Sequence, residues 1–470
     1  MKKTKIICTI GPASQSEEML ERLCLAGMNV ARLNFSHGTH EEHKERILAI
    51  KRVRERLGLP IAILLDTKGP EYRIKTFKNG KITLSEGDRF VFTSDEVEGD
   101  EGRVSVSYKS LPKELREGDT ILLDNGLMSF RVERIIGSDI ECTVTVGGVL
   151  SDRKSMSFPG KVLKQPYLSE QDEKDLLFGI ENGVDFIACS FVSSRQDLLD
   201  VKGFIRSNGG KEIGLIAKIE NGSGVENIRE ILSECEGIMI GRGDLGVEMP
   251  FEEIPAIQKK LIMEARMLGK VVITATEMLE SMITNARPTR AEISDVANAV
   301  YDGTSALMLS GETAVGKYPD LAVSTMSRIA EYTEGDINYE KRFASTEFHI
   351  KDTTDAISHA TCGMAIDLRA KAIVVCTVSG MTARMVSRFR PPTNIVAVTT
   401  GEKTWRKLAL SWGVIPVLSE EFKSTEVMFY FAVKAAEEKL GLSPSDKVII
   451  TGGTTNGVIG GTNLVKVETI

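Results

Sequence analysis

Short β-rich runs that end in polar residues and mostly lead into helical patterns recur eight times before residue 310, and this repeat constrains the fold more than any other feature. The runs are residues 5–10, 29–35, 61–65, 185–192, 214–219, 237–240, 271–276 and 306–309. Between them apolar residues fall at helical spacing. Ile47, Ile50, Val53 and Leu57 share one face, as do Val225, Ile228, Ile231 and Leu232. Thr289 and Glu292 form a capping-box pattern that opens the helix before the last run. Eight strands alternating with helices is the count of a closed (β/α)8 barrel, with an open doubly wound sheet as the alternative. In both, parallel strands bring their carboxyl ends to one face, where sites are built.

The repeat is interrupted once and then followed by a third unit. After residue 70 the sequence alternates apolar and polar residues between frequent turns, as in residues 119–123, 128–132 and 140–146, which predicts antiparallel β structure in a small barrel or sandwich. Ser169 returns the chain to the helical pattern. Beyond a linker-like stretch at 335–351, a helix near 356–366 and runs at 372–376, 395–398, 414–417 and 448–450 predict a separate α/β domain. The expected class is therefore α/β. Residues 1–69 and 169–340 form the barrel, 70–168 an inserted all-β lid, and 341–470 a C-terminal α/β domain.

A length of 470 residues suits about three domains. The net charge of −7 excludes a general nucleic-acid binder, whose footprint would be basic, so any anion must be held by a local cluster. Seven scattered cysteines without a CxxC pair predict reduced thiols and a cytoplasmic protein. The apolar run after Lys2 and Lys3 stops at Thr9, and no stretch reaches the ~18 apolar residues of a membrane span.

Polar residues at the ends of successive runs are the candidate site. Arg32, Asn34 and Ser36 follow the second, Asp66 and Thr67 the third, and Lys218, Glu220, Gly243, Asp244 and Thr276 the fifth to seventh. Glu220 and Asp244, on neighbouring strands, suit a hard divalent cation, which takes one or two carboxylates and shares its other positions with water or substrate. Lys218 and Arg242 suit an anionic substrate. A rim of surface salt bridges would explain one such pair, but not polar residues on so many strand ends.

Three further patterns compete. Residues 241–246 match GxGxxG, yet they do not open a dinucleotide-binding unit, and Asp244 would face the pyrophosphate. His37, His40 and His43 lie three apart, which is not the four-residue step of a helical zinc site. His40 and His43 are expected to be solvated at a helix start, and His37 has the better claim to a ligand. The loop Thr377, Ser379, Gly380 and Thr382 places hydroxyls and free amides between a strand and a helix, a phosphate site or a plain capped turn.

Taken together, the motifs resemble pyruvate kinases over essentially the whole chain. They are Arg32-Leu-Asn34-Phe-Ser36-His37-Gly, Asp66-Thr67-Lys-Gly-Pro-Glu71, Ala217-Lys218-Ile-Glu220-Asn, Gly241-Arg242-Gly-Asp244-Leu-Gly, Thr274-Ala-Thr276, Arg287-Pro-Thr-Arg-Ala-Glu292 and Leu309-Ser-Gly-Glu-Thr. The resemblance implies transfer of the phosphoryl group of phosphoenolpyruvate to ADP, giving pyruvate and ATP, by a homotetramer with a regulatory C-terminal domain. It implies Glu220 and Asp244 as ligands of Mg²⁺ or Mn²⁺, and Lys218 as the cation facing the phosphoryl group. Arg32 would bind the substrate phosphate, while Thr276 and the backbone near Gly243 and Asp244 would bind the carboxylate. Asn34, Ser36, Asp66 and Thr67 correspond to a K⁺ site, Asn34, His37 and Arg73 to nucleotide contacts, and Thr377, Ser379, Gly380 and Thr382 to a phosphorylated effector's site.

Glu71 stands where K⁺-requiring members carry glutamate. The chain departs from the pattern at Tyr72, Asn125, Ser193, Ser194 and Glu277, with Arg195 as a replacement for basic residues near the nucleotide. Arg242 is expected to position its loop or an interface rather than to join the chemistry. The rival readings are a metal-dependent barrel lyase acting through a pyruvate enolate, and a sugar-phosphate sensor built on the last domain.

Overall fold

The computed structural model describes residues 2–161, 163–421, 424–453 and 461–470. Eight parallel strands close into a barrel: β1 (Lys5–Thr9), β2 (Val30–Asn34), β3 (Ala62–Asp66), β4 (Phe186–Cys189), β5 (Gly214–Ile219), β6 (Gly237–Gly241), β7 (Val271–Ala275) and β8 (Ala306–Leu309). β1 pairs with β8, which excludes the open sheet. Nearly every strand residue is buried, because the barrel interior packs against one side of each strand and the helices against the other. Ile7, Val30, Leu64, Ile216, Met239 and Ile273 fill the interior, whereas Ile6, Ala31, Ile63, Leu215, Ile238 and Val272 meet the helices.

The helices start where the sequence places their caps. Thr289 accepts from the N–H of Glu292 at 3.2 Å, and Glu292 accepts from the N–H of Thr289 at 2.7 Å. Ser169 and Ser194 open helices Glu170–Glu181 and Arg195–Ser207 in the same reciprocal way. The pattern predicted as a helix around Val225 to Leu232 forms two short ones, Gly222–Glu226 and Ile228–Glu234. Asn227 caps the first and leads directly into the second.

Between β3 and β4 the chain leaves to build a seven-stranded sheet, with a two-stranded ladder of Lys81–Leu84 and Gly148–Ser151 beside it. The sheet is antiparallel except where Arg89–Thr93 pairs with Arg103–Ser105. Phe90, Phe92 and Phe130 pack edge-to-face or tilted in its core. The first and last strands, Tyr72–Arg73 and Ser155–Ser157, pair with each other.

The C-terminal unit is a five-stranded sheet of β9 (Ala372–Cys376), β10 (Asn394–Thr399), β11 (Val414–Leu418), β12 (Lys447–Gly452) and β13 (Leu464–Thr469), in the order β11-β10-β9-β12-β13. Sequence periodicity finds the four parallel strands and misses the antiparallel edge strand β13. The stretch expected to be a linker contains the helix Tyr339–Ser345. This unit docks on the amino-terminal end of the barrel. Arg406 donates to Asp185 at 2.7 Å, Arg54 lies 3.6 Å from the same carboxylate, and Lys5 donates to the carbonyl of Val414 at 2.7 Å.

Candidate active site

At the carboxyl ends of the strands a buried charge network joins β2, β3 and β5. Asp66, fully buried at the end of β3, accepts from Arg32 Nε at 2.6 Å and lies 3.2 Å from Lys218 Nζ. Lys218 pairs with Glu220 at 2.9 Å and donates to Ser190 Oγ at 2.8 Å. Arg32 also donates to Thr9 Oγ1 at 2.8 Å. Arg32 and Lys218 lie inside their strands rather than after them, so rigid backbone fixes both side chains.

The electrostatics follow from burial and from these neighbours. Burial works against the charged form of Asp66, yet Arg32 and Lys218 outweigh it and hold the carboxyl below its usual range. Burial likewise works against the Lys218 ammonium, and Asp66 and Glu220 overcome it and raise its affinity for the proton. Glu220 is pushed up to about 7, chiefly by burial and then by Asp244 and Asp66, against the pull of Lys218. A buried carboxylate raised by a second carboxylate is a donor set that a hard divalent cation would relieve, so the residues fit Mg²⁺ or Mn²⁺. Among the described residues no group of three or more His, Cys, Asp or Glu is arranged for a metal.

Gly241 shows what its motif is for. A Cβ there would stand 2.7 Å from Glu220 Oε1, so the glycine makes room for this carboxylate rather than for a pyrophosphate. Arg242 donates to the carbonyl of Thr276 at 2.6 Å and pairs with Asp295 at 2.8 Å, and so fastens the loop after β7. Thr276 holds a left-handed φ of 67°, costly for a β-branched residue. Its Oγ1 accepts from the N–H of Gly243 at 3.0 Å.

The residues matched to a monovalent-cation site share one strand pair. Asn34 stands in register with Asp66, Ser36 donates its N–H to Asn34 Oδ1 at 3.2 Å, and the carbonyl of Thr67 accepts from Ser190 Oγ at 2.6 Å. Their oxygens suit a hard cation and keep further lone pairs for it. Ser190, like Thr9, is a residue that sequence reasoning missed. It touches Asp66, Thr67 and Lys218, and its carbonyl accepts from Tyr167 at 2.6 Å. Its only signal is its position directly after β4.

Between the barrel mouth and the inserted sheet lies a cavity of about 440 Å³, whose lining includes Glu71, Tyr72, Arg73, Lys154, Ser193 and Asp244. Arg73 reaches it while gripping both oxygens of Glu71, at 2.6 and 2.9 Å. Asn34 and His37 are not part of that lining; His37 is exposed. Arg195 does not replace the basic residues there, because Glu234 holds it at 2.6 Å. Asn125 also lines the cavity, at a φ of 56° that asparagine tolerates better than most residues. The expectation of solvated histidines fails. His43 is buried, stacked on Phe35 at 4.1 Å and bonded to the carbonyl of His37, and His40 meets Asp175 at 2.6 Å.

In the C-terminal unit, Gly380 turns the chain into helix Met381–Arg388 with a φ of 80°, and its N–H goes to Thr377 Oγ1 at 3.0 Å. Thr382 is buried and shares a 2.6 Å hydrogen bond with Thr462. Ser379 is half-buried, with its carbonyl accepting from Arg384 at 3.4 Å.

Comparison with known proteins agrees with this arrangement. The pyruvate kinase barrel-domain model matches residues 1–323, and the pyruvate kinase alpha/beta-domain model residues 355–468. A pyruvate kinase of Clostridium acetobutylicum is 45% identical over 100% of both chains, and one of Geobacillus stearothermophilus is 48% identical over 100% of this chain and 80% of its own. A crystal structure of a pyruvate kinase from Cryptosporidium parvum superposes with a TM-score of 0.95 at 38% identity, covering 100% of this chain and 96% of that one. The chain belongs to the pyruvate kinase family.

Proposed function

We propose that the barrel mouth carries out the family's phosphotransfer, from phosphoenolpyruvate to ADP giving pyruvate and ATP, on the residues just described. The observation that carries the reading is the buried Lys218 ammonium, held between Asp66 and Glu220 with Arg32 on the other side of Asp66. Phosphoryl transfer asks for positioning and charge stabilisation more than for covalent chemistry, and a cation fixed in a dry site supplies both.

Arg32, braced by Asp66 and Thr9, would hold the substrate phosphate. Lys218 would face the phosphoryl group in transit, and Ser190 would keep its ammonium aimed. Thr276, with the backbone near Gly243 and Asp244, would bind the substrate carboxylate, and its hydroxyl would take part, through water, in protonating the enolate carbon. Glu220 and Asp244 would hold Mg²⁺ or Mn²⁺, which when bound supplies Lewis acidity at the enolate oxygen. Asn34, Ser36, Asp66 and Thr67 would hold K⁺. Arg73, with Asn34 and His37, would contact the nucleotide. The inserted sheet, residues 70–168, would act as a lid that excludes water from the phosphoryl group.

Residues 341–470 would form a regulatory domain whose loop of Thr377, Ser379, Gly380 and Thr382 takes a phosphorylated effector. The assembly would be a homotetramer in the cytoplasm. Seven free, buried cysteines support a reducing compartment, and among the described residues no helix is long and apolar enough to cross a membrane. A coupled assay tests the reading. ATP should form from phosphoenolpyruvate and ADP, cease on chelation of divalent cations, and fall when K⁺ is replaced by a bulky organic cation. Full turnover without K⁺ and Na⁺ would remove the potassium assignment, and no ATP under any condition would remove the function.

A further inference from the structure

Far from the active site, at the amino-terminal ends of β7 and β8, buried cations gather with little to neutralise them. Arg266, in the last turn of helix Ile254–Met267, is 3% exposed, and among the described residues its Nε has no hydrogen-bond partner. Arg390, also 3% exposed, spends its terminal nitrogens on neutral acceptors, the carbonyls of Ser387 and Gly303 and the hydroxyl of Ser305. Its guanidinium lies over the Trp412 ring at 4.7 Å, and among the described residues its Nε, too, has no hydrogen-bond partner. Arg342 approaches from a third side. A Cβ on Gly303 would meet Arg266 Nη1 at 3.2 Å and Arg342 Nη1 at 4.0 Å, so three guanidinium groups surround one glycine. Among the described residues neither Arg266 nor Arg390 has a carboxylate within ion-pair distance. Arg388, nearby, has Asp355 at 3.2 Å.

A buried charge is retained when it is paired, and cutting away its partner is strongly destabilising. Burial draws Arg390 well below its ordinary range, and Arg266 and Arg342 lower it further, with Tyr339 and Glu334 offsetting only part of this. Arg266 falls to about 10 through burial and then Arg342. The groups repel one another, and the place of the missing anion is open. A cavity of about 10 Å³ lies between the barrel and the C-terminal unit, lined by Arg266, Lys270, Ser305, Arg384, Arg388 and Arg390. That volume is about what one water needs, so it admits at most a monatomic ion and excludes a tetrahedral oxyanion, a sugar or a nucleotide.

We propose that this joint binds a single halide ion between Arg266 and Arg390. The anion would neutralise both guanidinium groups and fasten the C-terminal unit to the barrel.

The test uses the full-length protein exchanged into gluconate at constant ionic strength. Chloride should raise the melting temperature saturably, by on the order of 2–4 °C at a hundredfold excess over the midpoint. Crystals soaked in bromide should show an anomalous peak in the joint, beside Arg266 and Arg390. Arg266→Met should abolish the saturable response and melt above the wild type in gluconate, because it removes an unpaired buried charge. Should that variant fail to fold, the anomalous peak on the wild type decides. The proposal is overturned by no saturable response to chloride, by an empty joint in the soaked crystals, or by an undiminished response in Arg266→Met.

Discussion

In its proposed role Lys218 must be buried enough to act in low dielectric and still keep its charge. Two carboxylates achieve this, Asp66 at 3.2 Å and Glu220 at 2.9 Å. Replacing it with alanine should lower kcat by roughly 10²–10³-fold, the size typical of removing one preorganised stabiliser of transition-state charge, with much less effect on KM for phosphoenolpyruvate. An unchanged kcat, measured on protein shown by circular dichroism to be folded, would refute the role. Thr276 makes the opposite bargain, holding a strained φ of 67° to put its hydroxyl beside the Gly243 N–H. Thr276→Gly should therefore raise stability, by about 1 kcal/mol in denaturant titration, while activity falls. A variant both less stable and fully active would contradict that account.

The smallest element among the described residues carries a disproportionate share of the proposed nucleotide cleft. Strand Tyr72–Arg73 is two residues long, and it brings Arg73 to the cavity with Glu71 as its clamp. Arg73→Ala should raise KM for ADP by about tenfold, the scale of one lost charged hydrogen bond, and leave KM for phosphoenolpyruvate nearly unchanged in steady-state kinetics. Equal changes for both substrates would place Arg73 elsewhere. Elements of this site were legible where pattern and chemistry coincide. All eight barrel strands show as apolar runs with polar ends, and the two acids and the lysine stand out because charge at a strand end has few structural uses. Ser190 and Thr9 were not legible, since a lone hydroxyl beside a strand is common in any protein. β13 was missed because an exposed edge strand lacks the buried alternation that periodicity detects. His43 could have been placed correctly. It lies four residues before Ile47 on the apolar face of helix His40–Leu57, and that spacing outweighs its polarity.

Across the whole molecule, the C-terminal unit and the barrel share buried polar contacts, and these make stability depend on pH. Lys5 donates to the carbonyl of Val414, and burial, with Lys2, lowers its pKa from 10.5 to about 7. A base whose folded pKa lies below its unfolded value binds its proton more weakly when folded. Its contribution to stability is thus lost as pH falls from about 10.5 toward 7. Lys5→Met should gain stability over the wild type at pH 7, and the gain should shrink steadily in denaturant titrations toward pH 10. A gain independent of pH would point to packing instead. The inserted sheet meets the barrel on different terms. Its first and last strands pair with each other, while β3 and β4, on either side of the insertion in sequence, hydrogen-bond directly. The barrel therefore closes without any help from some hundred intervening residues, which enter and leave through a single two-stranded neck. Topologically the insertion is a detachable module. A variant in which a short loop replaces it has every strand needed to form the same eight-stranded ring, and selection can reshape the cleft above the site without renegotiating the fold beneath it.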